Sequence, residues 1–115
     1  MDTVKELIDN SFREFNVVSS LYRDCDRFFQ KRIRDTDSGK TKYFINAYVY
    51  DFKKYDIRNG QIRTTVEVDF YTDKDQNIRI SIGAEDFNSI IDLENYIETL
   101  FIRNGFVNDI HNNYN

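Results

Sequence analysis

Between Gln61 and Gly83 the side chains change character at almost every step, and this alternation limits the fold more than any other feature. Ile62, Val66, Val68 and Phe70 fall on one side of an extended chain, and Gln61, Arg63, Glu67 and Asp69 on the other. After a polar turn at 73–77 the pattern resumes, with Ile78, Ile80 and Ile82 set against Arg79 and Ser81. A period of two belongs to strands with one buried and one wet face, which means an antiparallel sheet. The preceding stretch, 42–52, differs. Phe44, Tyr48, Tyr50 and Phe52 line one side, and Tyr43, Ile45, Ala47 and Val49 the other, so both faces need cover.

Asn59-Gly60 is a hairpin signal, because a two-residue turn needs positive φ at both positions. Uninterrupted pairing from that turn sets Lys53 against Val66. A one-residue bulge between Lys53 and Tyr55 is therefore expected, placing Tyr50 and Phe52 with the core of the next strand.

Helices are expected on either side of the strands. Thr3 and Glu6 have the spacing of a capping box, and Val4, Leu7, Ile8, Phe12, Phe15, Val18, Tyr22, Cys25, Phe29 and Ile33 recur at helical steps. The spacing predicts a long N-terminal helix over 3–34, with a break near 16–20 where Val and Ser weaken it. A second helix is expected over 87–104, capped by Asp86 or Ser89 and ended by Asn104-Gly105. The predicted fold is α+β: a long N-terminal helix, a three-stranded antiparallel meander, and a C-terminal helix, in two layers. Residues 1–107 form one domain in this reading, and 108–115 a polar tail.

Composition narrows the chemistry. The chain has 115 residues, one Cys, one His, four Gly and neither Pro nor Trp. A single Cys25 excludes an intramolecular disulfide and any multi-cysteine zinc signature, and suits a reducing, cytoplasmic setting. A single His111 near the end leaves nucleophile–histidine catalysis little to work with. The glycines are too dispersed for a phosphate cradle. No catalytic residue, metal or cofactor is predicted, and no run of apolar residues is long enough to span a membrane.

Three features remain as candidate interaction sites. The first is the aromatic strand, whose Tyr43, Tyr48 and Tyr50 combine apolar area with a polar tip. The second is the acidic set Asp92, Glu94 and Glu98 on the C-terminal helix. Residues 59–115 carry 4 basic and 10 acidic side chains, against 12 and 10 in 1–58. The third is a basic stripe, Arg23, Arg27, Lys31 and Arg34, at helical spacing. The leading expectation is a non-enzymatic inhibitor that occludes a protein partner, as immunity proteins and phage anti-defence proteins do. Its partner would be a nuclease or another enzyme with a basic surface. Nucleic-acid binding through the basic stripe is the alternative, followed by a structural or assembly role, or carriage of a small ligand. A homodimer closed by the aromatic strand is a further expectation.

Overall fold

The computed structural model describes residues 2–16, 24–52 and 61–108. It contains a five-stranded antiparallel sheet in sequential order, with helices on one face. The elements are α1 (Thr3–Asp9), β1 (Arg13–Phe15), β2 (Arg27–Arg34), β3 (Thr41–Asp51), β4 (Ile62–Tyr71), β5 (Asn77–Gly83), a single 3-10 turn (Ala84–Asp86) and α2 (Ile90–Arg103).

The chain is α+β, but the long N-terminal helix and the three-stranded meander are corrected. The helix is seven residues long, and the region beyond it that was assigned to the same helix supplies two further strands, β1 before the expected break and β2 after it. Asn10 caps α1, and Ser11 follows at φ +70°, a left-handed turn that a helix cannot continue through. The misreading has a geometric cause. Cys25, Phe29 and Ile33 are four apart, a step that lies on one face of a helix and equally on one face of a strand. The adjacent pair Phe28-Phe29 favours the strand, because two neighbouring rings that are both buried need two faces.

Capping also differs. Asp2, and not Thr3, caps α1 by accepting the Lys5 N–H at 3.2 Å. Glu6 is thereby released from a capping box, and its carboxylate accepts the Ile90 N–H at 3.0 Å, tying the start of α2 to α1. Ser89 caps α2 through the Asp92 N–H, and Gly105 at φ +66° ends it. Phe106 then folds back, its ring stacked on Phe70 at 4.7 Å.

The core lies between α2 and one face of the sheet. Phe29, Tyr43, Ile45, Ala47, Val49, Val66, Val68 and Phe70 meet Ile90, Leu93, Ile97 and Phe101, with Leu7 of α1 joining them. Register sets Ile45 opposite Val68 and Ala47 opposite Val66. Tyr50 and Phe52 therefore do not join the core of β4 as expected; Tyr50 faces Arg63. The expected bulge at 53–55 and the Asn59-Gly60 turn lie outside the described residues.

A bulge does occur at the other end of β3. Ile33 pairs with Tyr43 but Arg34 pairs with Thr41, leaving Lys42 as the extra residue. Successive strand side chains ordinarily point to opposite faces. Here Lys42 and Tyr43 both reach the same carboxylate: Lys42 Nζ lies 2.5 Å from Glu98 Oε2, and the Tyr43 hydroxyl donates to Oε1 at 2.7 Å. Thr41 is turned to the opposite face, where its hydroxyl accepts from Arg32. Among the described residues no helix is long and apolar enough to cross a membrane.

Replacing Glu98 with Ala leaves the buried Tyr43 hydroxyl and the Lys42 ammonium without their shared acceptor. Urea unfolding should register a loss of about 1–3 kcal/mol. Lys5→Ala, which breaks an exposed pair with Asp9, should cost less than about 0.5 kcal/mol. Equal losses from the two variants would show that the Glu98 cluster does not fasten α2 to the sheet.

Candidate binding face

The side of the sheet opposite α2 carries no helix among the described residues. Its composition follows from strand alternation and register. One row crosses all five strands as Phe15, Phe28, Tyr48, Thr65 and Gly83, each residue opposite the next. Side-chain size falls along this row from three aromatic rings to a hydroxyl and then to nothing. The rings touch in sequence, with centroids 6.1 Å apart for Phe15–Phe28 and 5.1 Å for Phe28–Tyr48. The Arg13 guanidinium lies 5.0 Å from the Phe15 ring. The neighbouring row is polar: Arg13, Gln30, Asn46, Glu67 and Ser81, with Gln30 donating to Asn46 at 2.8 Å.

Where the first row becomes small, the surface opens into a cleft of about 390 Å³ lined by Tyr50, Phe52, Arg63, Thr64, Thr65, Gly83 and Glu85. Thr65 and Gly83 are opposed small residues, and Tyr50 and Phe52 stack beside them at 6.4 Å with ring planes 12° apart. Glu85 is fixed at the rim because its carboxylate accepts the Thr64 N–H at 2.6 Å. The Gly83 position has a second constraint: a Cβ there would lie 3.3 Å from the Asp86 carboxylate.

Charge on this face differs from that of the chain. Arg13, Arg32, Arg34, Arg63 and Arg79 occupy its strand positions, against Glu67 and Asp69. The whole chain has 16 basic and 20 acidic residues, so the arginines concentrate on one side of an acidic molecule. Arg79 is held by Asp69 through two bonds of 2.8 and 3.2 Å, and that hydrogen bonding and charge raise its pKa.

The residues singled out from the sequence separate between the two faces. Tyr48 and Tyr50 stand on the helix-free side. Tyr43 is a core residue, 2% exposed, with its ring edge-on to Phe70 at 5.3 Å. Glu94 and Glu98 of α2 turn toward the sheet, where Glu94 binds Lys31 at 2.7 Å and Glu98 binds Lys42 and Tyr43. Asp92 stays exposed in the first turn of α2. The basic stripe does not form on a helix. Arg27 and Lys31 lie on the helix-covered side of β2 and Arg34 on the other, while Arg23 lies outside the described residues. Arg27 makes a two-pronged pair with Glu14 across β1–β2, both bonds 2.7 Å, which holds the Glu14 carboxyl below its ordinary range. One pair, Lys31–Glu94, joins the predicted acidic set to the predicted basic stripe, while Glu98 and Arg27 are engaged by residues outside both sets.

Sequence periodicity assigns none of Phe15, Arg13 and Arg63 to an interaction site, and it sets Phe28 and Arg32 beside the basic stripe of a helix rather than on a sheet face. The even-numbered set Phe28, Gln30, Arg32 and Arg34 would have revealed this face had residues 27–34 been read with a period of two. Among the described residues, no three of His, Cys, Asp and Glu gather as a metal site would require. No protein-family model, curated protein or solved structure matches the chain.

Burial, then the Glu98 hydrogen bond and its charge, push the Tyr43 hydroxyl above its ordinary value of 10.0. The folded chain keeps a proton that the unfolded chain releases. This stabilisation is complete below pH 10 and is lost as pH rises beyond it. Urea titrations between about pH 8 and about pH 11 should show stability falling more steeply in the natural chain than in Tyr43→Phe. Parallel curves for the two proteins would remove Tyr43 from the alkaline response.

Proposed function

We propose that this chain is a non-enzymatic binding protein that occludes a protein partner, and that it docks through the helix-free face of its sheet. The supporting observation is the graded row Phe15–Phe28–Tyr48–Thr65–Gly83, in which Phe28 is buried between the half-buried Phe15 and Tyr48 and the small residues open into a cleft rimmed by Arg63. A recess flanked by aromatic rings is a shape that a partner can complement, and Tyr and Arg are the side chains enriched where interfaces gain most energy. The charge argument now favours a partner with an acidic surface. Glu94 and Glu98 are engaged with Lys31 and Lys42, whereas the other side of the sheet carries five arginines against Glu67 and Asp69, of which Asp69 is paired with Arg79. Complementary charge of this kind sets register and accelerates encounter.

Interleaved arginines and rings also favour a second reading, single-stranded nucleic acid, whose bases stack on aromatic side chains. The two readings respond differently to salt, since each phosphate contact adds to the salt dependence of affinity.

Both are tested by placing a photo-crosslinking residue at Phe52, beside the cleft, and recovering adducts from the native host. The expected adduct is a protein with an acidic docking surface. Arg13→Glu with Arg63→Glu should reduce its yield at least tenfold, as charge reversal in a docked face costs upward of about 1.4 kcal/mol. Adduct yield unchanged by the double reversal would remove the helix-free face from the function. Tight binding of a single-stranded oligonucleotide, with a steep loss in salt and the same sensitivity to the double reversal, would replace the first reading with the second.

A further inference from the structure

The two edges of the sheet are protected unequally. β1 is three residues long and its Glu14 is tied to Arg27, so it offers a short, charged edge. β5 runs for seven residues from Asn77 to Gly83, and its outer side has no strand partner among the described residues. It lacks three of the usual protections, with no proline, no lysine and no bulge in its pairing with β4. Its one charged side chain, Arg79, is already engaged by Asp69. Ile78 is 42% exposed, and Ile80 and Ile82 are only partly covered where the core reaches this edge.

We propose that β5 pairs with β5 of a second copy of this chain, joining two sheets into one continuous antiparallel sheet of ten strands. The strand is complementary to itself. An antiparallel two-fold through Ile80 aligns all seven residues, setting Ile80 opposite its own mate, Ile78 opposite Ile82, Arg79 opposite Ser81, and Asn77 opposite Gly83. Directly opposed residues share a face, so all three isoleucines of each chain extend the apolar layer beneath α2 across the junction. Shifting the axis to Arg79 opposes two like charges, and shifting it to Ser81 sets Ile78 beyond the end of the partner strand. The two-fold at Ile80 is the register that pairs every residue without a repulsive contact. Such an interface is isologous and closes as a dimer.

The test uses the full chain. Light scattering from low micromolar concentration to about 1 mM should show mass rising from one chain to two and no further. Ser81→Arg places a positive charge opposite the partner's Arg79, while within its own chain it faces Glu67 across β4–β5, so the monomer keeps its fold. This variant should weaken dimerisation at least tenfold with an unchanged thermal melt. The register is read separately with cysteine. Ile80→Cys should cross-link to its own copy through a short bifunctional maleimide, whereas Ile78→Cys should do so only when mixed with Ile82→Cys. A single-chain mass at every concentration would overturn the proposal. So would a dimer that Ser81→Arg leaves intact, or one in which Ile80→Cys fails to cross-link.

Discussion

The carboxylate of Glu98 receives two consecutive residues of one strand, and the rest of the molecule is arranged around that contact. An unbroken β3 could not present both Lys42 and Tyr43 to α2. The bulge at Lys42 makes it possible and reverses the alternation of the residue before it, so Thr41 drops to the far side and meets Arg32. It also separates the start of β3 from β4: their pairing begins only at Ile45–Val68. The vacated edge of β4 is taken by the chain leaving α2, whose Val107 N–H bonds to the Tyr71 carbonyl at 2.8 Å. One inserted residue thus helps dock the helix and opens the corner of the sheet to the chain that leaves it.

Much of this was legible in the sequence where one period had no rival. From 66 to 70 and again from 78 to 82, neighbouring residues differ in polarity, and no helix produces that pattern. β4, β5 and α2 therefore lie within a few residues of expectation, and the helices cover the side lined by Val66 and Val68. The N-terminal third was not legible for the same kind of reason. Its apolar residues sit four apart, where the helical and strand periods coincide, and the distinguishing residue is Phe28, which belongs to no helical stripe. Register at β3–β4 failed differently. A turn signal at 59–60 fixes pairing only through the residues between it and the strands, and the described register sets Asp51 opposite Ile62, with Phe52 bonded to the Gln61 carbonyl.

The candidate site was legible only as far as the faces were. Charged residues form suggestive groups along the chain, but their partners across the fold cannot be read from it. Lys31 meets Glu94 across 63 positions of sequence and Lys42 meets Glu98 across 56. These pairs are partly buried and bridge sheet and helix, so they serve docking within the molecule before any partner is considered. Tyr48 and Tyr50 were correctly separated from the Tyr43 side of the strand by alternation alone. Arg34 was assigned to a helical stripe and Arg63 to the wet side of its strand, but that they share a face with Arg13, Arg32 and Arg79 was not visible, because the five come from four different strands and make no cluster along the chain.

The helix-free face and the β5 edge are linked through Gly83. Its lack of a side chain leaves the floor of the cleft open opposite Thr65, and it is also the last residue of the strand that ends the sheet. A two-fold through Ile80 brings the partner's Asn77 beside Gly83, at the mouth of the same cleft. The polar row that now ends at Ser81 would then continue into the partner's Arg79, and the arginine-rich faces of both copies would lie on one side of a single sheet. An acidic partner would in that case meet two clefts held at a fixed separation by backbone hydrogen bonds. Binding the second cleft would then become an intramolecular step, strengthening occlusion without any new contact within either copy.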